Sequence, residues 1–466
     1  MNLAQKHTVY FLGIGGIGMS AIARYFKSKG IWVGGYDLTP SPITDALQEE
    51  EIPVHFEDTE EQIPREVKNS PSAKVLIVLT PAIPEENKEY NYLLTHNYEM
   101  IKRASVIGEI SKDKFTIAVA GAHGKTSTCA VIVHLLKQAG IPFYGFLGGI
   151  ATNYNTNYFE PPRGQNASVT VVEADEYDRS FLQLEPDVAV ITSIDADHLD
   201  VYGNWEDLLN AYHQFANNIR QDGMLVSRHG LNISKPEQAK AHVQFDLNNG
   251  VDLFAENIRI QDRTYSFDLH AWDQSIASIK IGTPGDHNIL NALAAIAATF
   301  DTIRNWKKVG NALHSFKGVK RRFEYILDTP EVVFIDDYAH HPRELDWTIQ
   351  TLQNLYPEEK ITGIFQPHLY SRTKDFYKEF AQALDQLDCV ILLDIYPARE
   401  KPMKGVSSEL ILEEMQNAEN QLVSKEGLVE QIEANDHQVI ATLGAGDIDR
   451  LVAPIKEKLM ESRMSA

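Results

Sequence analysis

Two stretches of this chain carry residue types and spacings suited to phosphate. "GIGGIG" places Gly13, Gly15 and Gly18 in a G-x-G-x-x-G pattern, with Gly16 and Ile17 inside it, after the apolar run "TVYFLG". That pattern gives a tight turn, close backbone approach to a pyrophosphate and a helix N-terminus aimed at negative charge. A dinucleotide, another nucleotide diphosphate and plain close packing all remain open for it, since the motif alone is unspecific. "GAHGKTS" supplies Gly121, His123, Gly124, Lys125, Thr126 and Ser127 between an apolar strand and an apolar helix. Its first glycine stands three residues before the Gly-Lys pair rather than five. The chemistry is intact: backbone N–H groups line an anion site, Lys125 neutralises β- and γ-phosphates, and the Thr126 hydroxyl can bind Mg²⁺.

Acids follow the next two apolar runs. Glu173 closes "SVTVVE", with Asp175, Glu176 and Asp178 behind it; Asp195, Asp197 and His198 follow "DVAVITSI". Ligands of open α/β sheets bind beyond the carboxyl ends of the strands, so these groups belong on the same edge as the second glycine loop. Glu173 suits a hard Mg²⁺ ion. The bland alternatives are a solvated acidic loop and a structural histidine. Asp37 ends the strand after the first loop and is placed to accept from a ribose hydroxyl or a base. Hydride transfer needs no ATP, so an NAD-dependent oxidoreductase leaves the second loop without purpose. A nucleotide-bearing substrate at the first loop and ATP at the second account for both.

The elements that must hold these groups read as three α/β units with mostly parallel sheets. Length alone predicts about three domains of about 150 residues. The first unit ends near residue 108. The second begins with the glycine-lysine loop and includes "NIRIQDRTYSFDLH", whose alternation suits half-buried strands, and the helical "GDHNILNALAAIAATF". After "FKGVKRRFE" a third unit begins, with strands "EVVFID", "ITGIFQ", "CVILLDI" and "QVIATLG". Proline opens the helix "PRELDWTIQTLQNLY", as suits a first turn.

The composition is that of a soluble globular protein, 43% hydrophobic and 23% charged. A net charge of −22 argues against nucleic-acid or anionic-membrane binding, which want basic faces. Cys129 and Cys389 lie in apolar runs and are expected as core thiols. The N-terminus has no charged region followed by a long apolar stretch, and no segment approaches ~18 uninterrupted apolar residues, so a cytoplasmic location without membrane insertion is expected.

"GIGGIGMS", "GAHGKTST", "EADEYD", "DADHLDVYG", "GDHNILNALAA", "KRRFE", "DDYAHHP" and "FQPHLYSR" occur here in the order of the Mur ligases, and the chain resembles that family from Val9 to about Leu451. The resemblance implies a Rossmann-like UDP-sugar-binding domain over 1–108, a central P-loop ATP-binding domain over 109–318 and a Rossmann-like amino-acid-binding domain over 319–466. It points to the branch that joins L-alanine to UDP-N-acetylmuramate in peptidoglycan precursor synthesis. ATP would phosphorylate the lactyl carboxylate, the amine of L-alanine would attack the acyl phosphate, and ADP and phosphate would leave. The implied roles follow the motifs. Lys125 would bind the transferring phosphates, with Gly121, His123, Gly124 and Ser127 around them. Thr126 and Glu173 would hold a first Mg²⁺ and His198 a second, with Mn²⁺ a possible substitute. His287, Asn288 and Asn291 would place the adenine, Arg322 would reach the phosphates, and Asp337 would stand near the ribose or the metal. Tyr338, His340, His368 and Arg372 would form the amino-acid pocket. The first loop with Asp37 and Thr80 would bind UDP. A monomer or weak homodimer is expected.

Three positions depart from the family pattern: Ala122 for a threonine, Ser193 for an asparagine, and Leu369 where many members have arginine. The last leaves Arg372 with more of the carboxylate anchoring. The nearest rival is the branch that attaches a whole tripeptide to the same UDP-sugar; "EADEYD" fits both, whereas "DDYAHHP", "FQPHLYSR" and "DIYPARE" favour the alanine branch.

Overall fold

The computed structural model describes residues 3–195, 199–398, 400–416, 419–432 and 438–464. It contains three sheets and packs as two compact units, Met1–Glu256 with Leu269–Ile276 and Leu290–Leu313, and Asn257–Asp268 with Ala277–Ile289 and His314–Ala466.

In the first unit, strand β1 (Thr8–Leu12) lies between Trp32–Tyr36 and Val75–Leu79, with Val54–His55 and Glu99–Lys102 at the edges; all four pairings are parallel. The chain leaves β1 in one direction and later returns on its other side. Gly13 and Thr80, which follow the two strands at this reversal, lie where such sheets form their crevice. Helix α1 (Ile17–Ser28) buries Met19, Ile22, Ala23 and Phe26, one face at helical spacing, and ends before Gly30 at φ +73°. Fully burying Phe26 contributes about 1.5–3 kcal/mol. Asn157 fixes the start of α1, donating from Nδ2 to the Ile17 carbonyl at 2.6 Å.

The second sheet has ten strands. At its centre β2 (Phe115–Ala120) lies between β3 (Val169–Glu173) and β4 (Val188–Ile191), both parallel to it. The register pairs Val119 with Glu173 and Ala120 with Ile191. The loop after β2 therefore emerges beside the acids that follow β3. The strand Thr264–Ala271 alternates half-buried and buried along its whole length, as the sequence pattern requires.

In the second unit, Val333–Asp337 pairs with Val439–Leu443, then come Ile361–Phe365, Cys389–Leu392 and Asn420–Leu422, all parallel, with an antiparallel strand Glu324–Asp328 at the edge. Pro342 opens the helix Pro342–Leu355. Cys129 is buried as expected; Cys389 is half-buried at a strand start, not a full core residue. Among the described residues no helix is long and apolar enough to cross a membrane.

One buried polar cluster makes the first sheet sensitive to pH. Tyr10 donates its hydroxyl to Glu89 Oε2 at 2.5 Å and meets His55 Nε2 at 2.7 Å. Glu89 has no exposed surface, and burial pushes its carboxyl up to about 7. The unfolded carboxyl ionises near 4.3. Between those values the folded chain holds a proton the unfolded chain has lost, so this group's contribution to stability falls as pH rises through the window. The loss is at most about 4 kcal/mol. Glu89→Gln keeps the acceptor and removes the charge. Its melting temperature is expected to exceed that of the unmodified protein by about 5 °C at pH 8 and to match it near pH 4.5. The same difference at both pH values would contradict this.

Candidate active site

The first glycine loop is held by its own neighbours. Gly13 has φ +87°, and its N–H donates to the Tyr36 carbonyl at 2.8 Å. A Cβ there would stand 2.5 Å from Thr80 Cγ2. Gly16 caps α1 with no side-chain bond, leaving the first-turn N–H groups of Ile17 and Gly18 without a cap from that residue. Asp37 accepts the Gly15 N–H at 2.7 Å through Oδ2. The residue expected to meet a ribose therefore also braces the loop. Gly18 lets Arg103 lie close: a Cβ there would stand 2.1 Å from its Nη1, and the arginine would have to shift.

The second loop needs glycine at two positions for the same steric reason. Gly121 and Gly124 have φ +138° and +82°; Cβ atoms there would meet Thr192 Oγ1 at 2.1 Å and Asn291 Oδ1 at 2.5 Å. The His123 N–H donates to Ser193 Oγ at 2.9 Å, and the buried His123 ring has Nε2 3.5 Å from Asp195 Oδ2. Lys125 opens helix α2 (Lys125–Ala139) and turns its ammonium back to the Gly121 carbonyl at 2.6 Å and Glu176 Oε1 at 2.9 Å. Burial works against that ammonium, but Glu176, Asp175 and Glu173 outweigh it and hold the pKa above the usual lysine value. Lys125 is charged at any working pH. Thr126 donates its hydroxyl to Glu173 at 3.0 Å from either oxygen, and Glu173 Oε2 accepts the Gly148 N–H at 2.8 Å. Thr128 donates to Asn291 Oδ1 at 3.3 Å. Ser127 is half-buried in the first turn.

Thr126 and Glu173 are hard oxygen donors brought together at the loop, a chemistry that fits Mg²⁺. Among the described residues no group of three His, Cys, Asp or Glu side chains is arranged to hold a metal. His198, expected as a metal ligand, lies outside the described residues.

The second unit gathers the remaining candidates. The Arg322 guanidinium lies 4.9 Å from the Tyr338 ring centroid, with Nη1 3.7 Å from Glu344 Oε1. Arg321 lies 5.1 Å from the same centroid and donates to Asp336 at 3.1 Å and to the Gly444 carbonyl at 2.7 Å. Asp337 is buried and accepts two backbone N–H groups, from Phe323 and Ala339, each at 2.8 Å. Burial pushes its carboxyl up to about 6, against Arg322 and those two donors. Both of its oxygens are used in fixing the chain around Arg322.

His340 Nδ1 lies 2.9 Å from the Tyr338 carbonyl and 3.1 Å from Glu344 Oε2. Its ring meets Tyr338 and His368 edge-on, at 5.2 and 5.9 Å, and His368 stacks on Tyr396 at 5.7 Å. Arg372 is half-buried in the first turn of the helix Tyr370–Leu384. Leu369 caps that helix at φ +72°, a conformation leucine rarely adopts, and its N–H donates to the Tyr396 carbonyl at 2.9 Å. The leucine at the departing position is thus part of the backbone turn that sets His368 against Tyr396. His287 stacks on Trp347 at 5.9 Å, and burial, helped by Arg322, pulls its pKa down to about 4, so the ring is neutral. Asn288 donates from Nδ2 to the Pro284 carbonyl at 2.7 Å.

In the first unit, then, Gly121–Ser127, Glu173 and Asn291 are brought together. In the second, Arg322, Asp337, Tyr338, His340 and His368 are. Sequence reasoning missed Arg103, Glu344, Trp347 and Tyr396, and did not single out Glu176 as the partner of Lys125. Glu344 left a trace, being an acid one helical turn after His340.

Comparison with known proteins gives the family. Family models match in succession: "Mur ligase family, catalytic domain" over residues 8–115, "Mur ligase middle domain" over 119–299 and "Mur ligase, glutamate ligase domain" over 321–447. The chain belongs to the Mur ligase family, whose members use ATP. Among its relatives are two UDP-N-acetylmuramate–L-alanine ligases. That of Flavobacterium psychrophilum is 46% identical over 465 residues, 99% of this chain and 100% of its own. That of Porphyromonas gingivalis is 46% identical over 455 residues, 97% and 98%. The crystal structure of UDP-N-acetylmuramate-alanine ligase from Thermotoga maritima superposes with a TM-score of 0.82 at 28% identity, covering 98% of this chain and 99% of that one. A murein peptide ligase from Psychrobacter arcticus shares the fold, with a TM-score of 0.69 at 21% identity over 98% of each chain.

Proposed function

We infer that this chain is an amide ligase of EC class 6.3.2.8, joining L-alanine to the lactyl carboxylate of UDP-N-acetylmuramate with conversion of ATP to ADP and phosphate. The observation that carries the reading is the near-complete likeness to alanine-adding ligases, at 46% identity over 99% of the chain. The murein peptide ligase of Psychrobacter arcticus has the weaker likeness, 21% identity at a TM-score of 0.69. An NAD-dependent oxidoreductase leaves the Lys125 loop unexplained.

A carboxylate is a poor electrophile. Its oxygen attacks the γ-phosphorus of ATP, the bond to the β-γ bridging oxygen breaks, and ADP leaves. The amine of L-alanine then attacks the acyl carbon, a proton leaves the nitrogen, and phosphate departs with its oxygen from the original carboxylate. The protein's part is positioning and charge neutralisation. Lys125 balances the phosphates within Gly121–Ser127. Asn291, at the Gly124 backbone, and Asn288 with His287 serve the adenine. Thr126 and Glu173, with His198, would hold Mg²⁺ (two ions in all, or Mn²⁺), which neutralises phosphate charge. Arg322 acts on the transferring phosphoryl group, and Asp337 fixes the chain beside it. His340, whose Nδ1 meets the Tyr338 carbonyl and Glu344, takes the amine proton through Nε2 in this reading. Arg372, with Tyr338 and His368, receives the amino acid. Gly13, Gly15, Gly16, Ile17 and Gly18, with Asp37 and Thr80, receive UDP.

Three domains are kept, as three family models match in succession; the expected boundary at 318 falls between the second and third spans, whereas 108 lies inside the first, 8–115. We place the enzyme in the cytoplasm, as a monomer or weak homodimer. Phosphate release that requires both UDP-N-acetylmuramate and L-alanine tests the reading.

A further inference from the structure

Two loops of the second unit are laced together where the candidate amino-acid pocket begins. The Leu369 N–H donates to the Tyr396 carbonyl at 2.9 Å and the Tyr396 N–H to the Pro367 carbonyl at 2.8 Å, so His368 and Tyr396 form an isolated parallel bridge. Each loop carries a non-glycine residue at positive φ, Leu369 at +72° and Ala398 at +49°. Such conformations are costly, persist only where surrounding contacts impose them, and cluster at functional sites. The helix Tyr370–Leu384 follows Leu369, which gives it no side-chain cap. Its cap comes from the facing loop, 29 residues beyond Ser371. Glu400 Oε2 accepts the Ser371 N–H at 3.0 Å, and Oε1 accepts the Ser371 hydroxyl at 2.5 Å. The Glu400 N–H in turn donates to the Pro397 carbonyl at 2.9 Å.

The first N–H groups of a helix need acceptors, and its positive end favours an anion. A leucine side chain meets neither need. A carboxylate meets both, and a charged acceptor makes the stronger bond. Arg372 follows Ser371 in that first turn, and His368 lies on the laced loop just before it. Both groups offered to the amino acid therefore hang on a turn that one acid from another loop holds in place. Without that acid the turn frays, and Arg372 loses the direction its guanidinium needs to meet a carboxylate.

We propose that Glu400 is the positioning residue of the amino-acid pocket: by capping the helix Tyr370–Leu384 from the facing loop, it sets Arg372 and His368 for the carboxylate of the incoming amino acid. This rests on the reading of that pocket as the L-alanine site. Glu400 acts through Ser371, so its removal weakens the grip on L-alanine and leaves ATP and the UDP-sugar as they were.

The test measures phosphate release while L-alanine, ATP and UDP-N-acetylmuramate are varied in turn. It compares the unmodified protein with Glu400→Ala, Glu400→Gln, Ser371→Ala and the double variant Glu400→Ala/Ser371→Ala. Glu400→Ala is expected to raise KM for L-alanine about tenfold and to keep KM for the other two substrates within about twofold. Glu400→Gln, which retains one acceptor oxygen, and Ser371→Ala, which loses only the hydroxyl bond, raise it about threefold. The double variant matches Glu400→Ala, because the two side chains make one contact. Ser371→Ala keeps the acid in place, so it reports on the cap even if Glu400→Ala folds poorly. An unchanged KM for L-alanine in Glu400→Ala or Ser371→Ala, an equal rise for all three substrates, or single effects that multiply in the double variant overturns the proposal. If the unmodified protein shows no release dependent on L-alanine, the reading of the pocket falls, and the proposal with it.

Discussion

Lys125→Ala is expected to slow phosphate release by about a thousandfold or more, because a charge-neutralising donor at the transferring phosphates is lost. The structure adds a second effect. Glu176, 2% exposed, loses its cation. Breaking a buried pair from one side costs about 3 kcal/mol or more, so the variant also melts at a lower temperature. The double variant Lys125→Ala/Glu176→Gln separates the two effects. It removes the buried negative charge that Lys125 balanced and is expected to recover most of the melting temperature while remaining inactive. If activity returned together with stability, Lys125 would be a structural residue and the phosphate role assigned to it would fail.

Arg322→Ala is expected to do the reverse, losing turnover with little loss of fold. Its pair with Glu344 is long, at 3.7 Å, and the side chain is 35% exposed. Such a pair is worth about 0–1 kcal/mol, and its contact with Tyr338 about the same. The melting temperature should fall by no more than a few degrees. An arginine acting on a transferring phosphoryl group supplies about 10³-fold or more in comparable reactions, so kcat should fall by at least about 10²-fold. A fall in kcat no greater than the fall in folded fraction at the assay temperature would remove Arg322 from the chemistry.

The sheets and glycine loops were legible because their signals are local. Apolar runs that end in glycine or an acid mark β1, β2 and β3, and strict alternation marks Thr264–Ala271. Pairings made across long stretches of chain were not legible. Lys125 meets Glu176 across 51 residues and Arg103 meets Asp175 across 72, through contacts that sheet register and helix packing set and no spacing rule encodes. Asp337 looked like a ligand-facing acid at a strand end, yet two N–H groups close over it within the chain. Leu369 looked like a lost side-chain anchor. Its φ of +72° shows a backbone role as well, which a leucine in a sequence does not announce.

The central claim is the joining of one amino acid to a UDP-sugar at the expense of ATP. The most direct measurement is phosphate release with Mg²⁺-ATP and UDP-N-acetylmuramate, with L-alanine, glycine, L-serine or the recycling tripeptide added in separate reactions. Release that needs both the UDP-sugar and L-alanine, with glycine and L-serine weaker, is the predicted result. Release with the tripeptide alone, or release indifferent to the UDP-sugar, would contradict it.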